Sequence, residues 1–168
     1  MTRWLVPLAF LSLVACARPL EVAGLRPLSP EPYNLAPRLE SLQPELRWES
    51  FPRPIDLDAD RGGWVSRVQH VTYDLRIWRG VGDHSGYQDI YPDELVYART
   101  ALAMPEHTVE TALASGTQYL WSVRARFELD GQLRVTPWGV LRLPRQTLVD
   151  DSRSMSVPPR GYYRFVTP

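Results

Sequence analysis

Apolar and polar side chains alternate one for one along two long stretches of this 168-residue chain. Val71, Tyr73, Leu75 and Ile77 alternate with Thr72, Asp74, Arg76 and Trp78. Further on, Tyr119, Trp121, Val123, Ala125 and Phe127 alternate with Leu120, Ser122, Arg124 and Arg126. Successive side chains of a strand point to opposite faces, so each stretch builds one apolar face and suits a half-buried strand. No stretch between Arg38 and Pro144 sustains the 3.6-residue apolar period of a helix. Leu129-Asp130-Gly131-Gln132 supplies the Asp-Gly signal of a tight hairpin. It leads into Leu133 to Leu143, where Pro137 predicts an edge or a bulge. Weaker strands are expected at Leu46–Trp48, Leu95–Arg99 and His107–Leu113. Short strands separated by turns predict an all-β fold, a single antiparallel sandwich.

Composition narrows the function classes. The 19 basic residues balance 19 acidic ones, so no electrostatic footprint for nucleic acid is present. Every basic residue is arginine. Bidentate recognition of carboxylates or phosphates would use it, but GC-rich codon usage is the simpler account. With a single cysteine no disulfide forms within the chain, and core packing must hold the fold.

That cysteine, Cys16, ends a short apolar N-terminal run. Met1-Thr2-Arg3-Trp4 carries one positive charge, Leu5 to Leu13 is apolar, and Ala15 is small. About eleven residues are too few for the roughly 20 that span a bilayer, and the pattern is that of a secretory signal. Leu13-Val14-Ala15-Cys16 resembles the lipobox of bacterial lipoproteins. The resemblance implies removal of residues 1–15, a covalent lipid on Cys16 and no other cofactor. It implies attachment to the membrane by palmitate-like acyl chains, two or three of which anchor a protein essentially permanently. Ala17, in place of aspartate, implies the outer membrane, on its periplasmic side or at the cell surface. The alternative is an ordinary secretory signal with an incidental cysteine, or a buried apolar helix. Residues 16–37 then form a proline-rich linker, with Pro19, Pro27, Pro30, Pro32 and Pro37. It is expected to be extended rather than packed, the alternative being a strand-like arm lying on the domain.

Within residues 38–144, Leu46-Arg47-Trp48, Tyr73-Asp74-Leu75-Arg76-Ile77 and Leu113-Ala114-Ser115-Gly116-Thr117-Gln118-Tyr119 resemble a fibronectin type III domain, an immunoglobulin-like sandwich. The resemblance implies that Trp48 packs in the core, that Tyr73 sits on an inward-facing strand and that Tyr119 forms a tyrosine corner. One departure is the 22-residue stretch between Trp48 and Val71. It is an elaborated loop where such domains expect a tighter connection, and loops on rigid sandwiches carry binding. Residues 145–168 form a C-terminal tail. Its Tyr162–Val166 run is apolar enough to dock as an extra edge strand, or else presents a short motif.

Candidate chemistry is sparse. Asp56, Asp58 and Asp60 alternate as in calcium loops. Arg61 and Arg67 occupy the glycine and closing-glutamate positions of that pattern, so a solvated acidic loop is the stronger reading and a metal the weak one. Asp83-His84-Ser85 cannot align as a triad, which is assembled in space from separated positions. His70 and His107 lack a partner at zinc spacing and read as strand-end or surface residues. No phosphate loop, dinucleotide fingerprint or nucleophile elbow occurs, and the chain is not expected to be an enzyme. Trp64, Trp78 and Tyr87, in or beside loops, are candidate binding aromatics. The expected function is a membrane-anchored, non-catalytic module for an envelope protein partner. The alternatives are a carbohydrate- or envelope-polymer-binding lipoprotein, or a small hydrolase.

Overall fold

The computed structural model describes residues 24–30, 37–82, 90–139 and 163–168. The smaller sheet contains β1 (Pro27–Ser29), β2 (Glu45–Trp48) and β5 (Glu106–Thr108), in the order β1-β2-β5. The larger contains β3 (Val68–Val81), β4 (Tyr91–Leu102), β6 (Gln118–Leu129) and β7 (Gln132–Val135). Its order is β4-β3-β6-β7, with β8 (Tyr163–Val166) added beside β6. Every strand pair is antiparallel. The all-β expectation holds.

Alternation builds the core. Tyr73, Leu75 and Ile77 of β3 and Tyr119, Trp121, Val123, Ala125 and Phe127 of β6 all lie in one buried cluster. Leu46 and Trp48 of β2 enter the same cluster from the smaller sheet, and Trp48 meets Tyr73 edge-on, with ring centroids 5.7 Å apart. The Ala114 N–H donates to the Tyr119 hydroxyl at 3.0 Å, which ties the approach of β6 to the strand itself. Asp130 and Gly131 both have positive φ (54° and 73°), as a two-residue type I′ hairpin requires. They join β6 to β7 with Leu129 opposite Gln132.

The 49–67 segment is a built cap and not a bare loop. The Phe51 N–H donates to the buried Tyr73 hydroxyl at 3.1 Å. A short helix, α1 (Pro54–Asp58), follows, with proline in its first turn, where a missing N–H is harmless. A 3-10 turn at Val65–Arg67 then leads into β3.

Residues 24–30 differ from the extended-linker expectation. Leu25 is fully buried in the core, and β1 pairs with β2. Burying a leucine and completing a ladder outweigh the proline content, because Pro27 opens a strand at the sheet edge where its missing donor is tolerated. Gly24 and Gly139 cross at close range. A Cβ at Gly139 would lie 2.2 Å from the Leu25 carbonyl oxygen, so only glycine fits there.

Tyr163–Val166 lies beside β6, with Trp121 opposite Tyr163 and Gln118 opposite Val166. Its outer side is covered by Pro37–Leu39: the Leu39 N–H donates to the Val166 carbonyl, and the Val166 N–H to the Pro37 carbonyl.

Candidate interaction surface

The outward face of the larger sheet carries its charge. Alternation sends Asp74, Arg76, Arg124 and Arg126 away from the core that Tyr73, Leu75, Val123 and Ala125 fill. Asp74 is nonetheless buried, because two guanidiniums cover it. Arg124 Nε and Arg126 Nε donate to its Oδ2 at 2.9 and 2.8 Å. Its other oxygen accepts the Ala101 N–H at 3.4 Å. Trp138 has the Arg76 and Arg124 guanidinium carbons each 4.6 Å from its ring centroid. Stacked guanidiniums lose little hydration on an indole face, so this array stiffens the sheet.

The two outer edges of this sheet differ. β4 carries one more residue than β3 at each of three register shifts. These are bulges, the usual device for keeping an edge from pairing with a stranger. Ala101 sits at one of them with φ +58°. β4 is also tied across to the smaller sheet. The Tyr97 hydroxyl and His107 Nε2 are 2.7 Å apart, and the same hydroxyl accepts the Glu110 N–H at 3.2 Å. Arg99 lies over the Tyr97 ring and pairs with Glu110. Burial lowers the His107 pKa, against the smaller pull of Glu110. Burial thus favours the neutral imidazole in its contact with the Tyr97 hydroxyl.

Among the described residues β7 has no such ties. Its register with β6 is regular from Leu129↔Gln132 to Arg126↔Val135, and all four of its residues are exposed. In a two-residue hairpin the residues flanking the turn form a hydrogen-bonded pair, and such pairs alternate. Gln132 and Arg134 therefore turn their backbone groups to β6, and Leu133 and Val135 turn theirs outward. Their side chains are also bare, 65% and 49% exposed. Pro137 takes the next outward position, where no donor is lost. Thr136 turns back, its N–H donating to the Ala125 carbonyl and its hydroxyl accepting the Ala125 N–H. Among the described residues this edge is thus free over two outward residues, bounded by a turn and a proline.

The residues singled out from sequence are dispersed. Trp48, Tyr73 and Tyr119 are core residues. Trp64 stacks on Phe51 at 6.4 Å, and its indole N–H is buried without a partner among the described residues. Phe51 packs on Phe127, whereas the partly buried Trp78 lies opposite Leu120. Those two positions on β6 are seven residues apart, about 23 Å of strand. Trp64 and Trp78 therefore do not form one platform. Cys16, Tyr87 and the Asp83-His84-Ser85 run lie outside the described residues.

Asp56, Asp58 and Asp60 also do not converge. Asp56 is buried against Arg53, whose Nε and Nη2 donate to it at 2.9 and 2.7 Å. Burial pushes the Asp56 carboxyl up, but the bonds from Arg53 outweigh it and hold it low. Asp58 is exposed. Asp60 accepts the N–H groups of Gly62, Trp64 and Val65, which orders the turn into β3. Among the described residues no group of three or more His, Cys, Asp or Glu is placed to hold a metal ion.

Sequence reasoning missed the Tyr97–His107 clasp. His107 reads as a surface residue, yet its side chain is only 11% exposed. The one legible signal is Val109 two residues on, since alternation puts both on the inward face. A shallow depression of about 280 Å³ lies beside the hairpin, lined by Ser66, Arg67, Gln69, Glu128, Asp130 and Gly131. Its charges are spent internally, with Arg67 paired to Asp130 at 2.5 Å. No described helix is long and apolar enough to cross a membrane. No protein-family model, curated protein or solved structure matches this chain.

Proposed function

We propose that this chain is a bacterial envelope lipoprotein, acylated at Cys16 and held at the outer membrane, whose domain is a non-catalytic protein-interaction module. The domain is read as a fibronectin type III-like sandwich. Three features support that reading: the strand order β1-β2-β5 against β4-β3-β6-β7, buried Trp48, and the Tyr119 hydroxyl bound to backbone five residues upstream.

The observation that carries the interaction reading is the edge of β7, which is free among the described residues. Leu133 and Val135 offer both backbone hydrogen-bonding groups and apolar side chains to solvent, on an edge with regular register. An extended partner segment adds there as a further strand, its main chain supplying affinity and the two side chains supplying selectivity. Anchoring in the same membrane as the partner raises the effective concentration of the pair, so a contact of two residues suffices.

A photo-crosslinking residue at Leu133, in cells of the native envelope, tests this. It is expected to capture one discrete partner, and Val135→Pro, which removes an outward donor, is expected to abolish the capture at unchanged thermal stability. Capture that survives Val135→Pro sinks the strand-addition reading. Cys16→Ser is expected to release the protein from the membrane fraction. Unchanged fractionation and processing sink the lipoprotein reading.

A further inference from the structure

The edge of β7 also specifies what kind of strand fits it. On a strand, residues two apart share a face, so Leu133 and Val135 point the same way. Their neighbours on β6 are Glu128 and Arg126, which places both on the outer face of the larger sheet. Arg134, between them, lies opposite Phe127, a core residue, and so turns to the inner face. It is exposed there, and the β6 residues sharing that face, Ala125, Phe127 and Leu129, are apolar. Among the described residues Arg134 forms no ion pair, and its Nη2 donates to the Gln132 side-chain oxygen at 2.6 Å. By contrast Arg79 of β3, Arg99 of β4, and Arg124 and Arg126 of β6 each meet a carboxylate.

A second copy of the chain is one candidate to cover this edge, and the register argues against it. Leu133 and Val135 turn their backbone groups outward, while Pro137 has no N–H to offer. Two β7 strands related by a two-fold axis therefore use all of these groups in a single antiparallel register, with Leu133 opposite the Val135 position of the other copy. That register sets Arg134 directly opposite its own counterpart. The two would meet as a non-hydrogen-bonded pair, the closer kind, with Cα atoms about 4.5 Å apart. Like charges so placed repel.

We infer that the β7 edge takes an antiparallel strand of a different protein, patterned apolar–acidic–apolar, with its acidic residue opposite Arg134. This rests on the strand-addition reading of β7 and adds the partner's chemistry to it. The two apolar residues bond to the backbone of Leu133 and Val135 and lie beside them on the outer face. The acidic residue falls on the inner face, where the guanidinium offers a carboxylate two parallel N–H groups. The same arginine thus selects the partner and keeps copies of this chain apart.

Two synthetic peptides test this: acetyl-Thr-Val-Glu-Val-Thr-amide, and the same sequence with lysine at its centre. Each is titrated to millimolar concentration into the full chain held in detergent micelles, while the Leu133 and Val135 amides are followed by NMR. The glutamate peptide is expected to shift both amides at a concentration at least about threefold lower than the lysine peptide, as a cross-strand charge pair predicts. Arg134→Gln is expected to erase that difference and Arg134→Glu to invert it, both at unchanged thermal stability.

Equal midpoints for the two peptides, or a preference that survives Arg134→Gln, overturn the inference and leave strand addition standing. Shifts from neither peptide remove strand addition itself, and the inference with it. Shifts of the same amides that grow with protein concentration in the absence of peptide assign the edge to a second copy, and also overturn the inference.

Discussion

The two edges of the larger sheet meet the same problem in opposite ways. β4 spans Tyr91–Leu102, and β7 spans four residues. A long unpaired edge invites adventitious pairing. β4 answers with three bulges and a proline at position 92. It is further held by Asp74 at Ala101, by the Tyr97–His107 clasp and by Arg79–Glu94 at 3.2 Å. β7 answers by being short, ending at Thr136–Pro137 before it can template a long partner. One edge is pinned and closed to pairing. The other, among the described residues, is left bare over two residues. The docking proposal for β7 rests on that contrast between the two edges.

Removing Asp74 should do the most damage to the pinned side. Asp74→Ala leaves Arg124 and Arg126 without their shared counter-charge and frees the Ala101 N–H. Breaking a buried pair costs about 3–5 kcal/mol, less here because both arginines are partly exposed. A loss of about 2–4 kcal/mol in urea unfolding is expected, together with faster amide exchange along β4. Stability within about 0.5 kcal/mol of the parent protein would show that the pinning is cosmetic.

Gly139→Ala acts on the free side. The added methyl meets the Leu25 carbonyl, so the N-terminal arm must lift or the chain after β7 must shift. Overpacking of this kind costs about 1–3 kcal/mol. Proteolysis near residue 24 should accelerate. An unaffected arm would mean that the crossing is looser than it stands.

The clasp on β4 predicts a pH dependence. Burial lowers the His107 pKa in the folded protein, while the unfolded imidazole titrates near about 6.5. The unfolded chain therefore binds the proton first on acidification, and stability falls as pH drops below about 6.5. The contribution is complete above that pH. Thermal melts between pH 7 and 5 should show a decline that His107→Gln flattens. An identical decline in the variant would assign the effect to other groups.

Leu133→Lys should have the smallest effect on folding, within about 0.5 kcal/mol as for other exposed positions. It should still abolish crosslinking to a partner. Loss of partner without loss of stability would separate the docking edge from the pinned one, and a large stability loss would erase the distinction.

Much of the sheet was legible in the chain because its signals are local. The Val71–Ile77 and Tyr119–Phe127 alternations mark the cores of β3 and β6, and Asp130-Gly131 marks the hairpin between β6 and β7. The prolines of the N-terminal segment misled, since proline content speaks of backbone freedom and not of Leu25 finding a cavity. The acidic triplet reads chiefly as a solvated loop and only weakly as metal ligands, and its spacing could not show that Asp56 is buried against Arg53 or that Asp60 caps the 62–65 amides. Nor could composition foretell that Trp64 packs on Phe51 while Trp78 lies at the far end of the sheet.

By itself, then, the sequence determined the strand periods, the hairpin and the lone cysteine from which an anchor is proposed, because each depends on residues a few positions apart. Only the tertiary structure decided which edge is closed and which is free. Asp74 meets Arg124 and Arg126, Tyr97 meets His107, and Gly24 crosses Gly139. Those encounters join residues from ten to more than a hundred positions apart. Side-chain type alone does not encode them. They exist because two sheets, closing over one core, bring those positions within hydrogen-bonding reach.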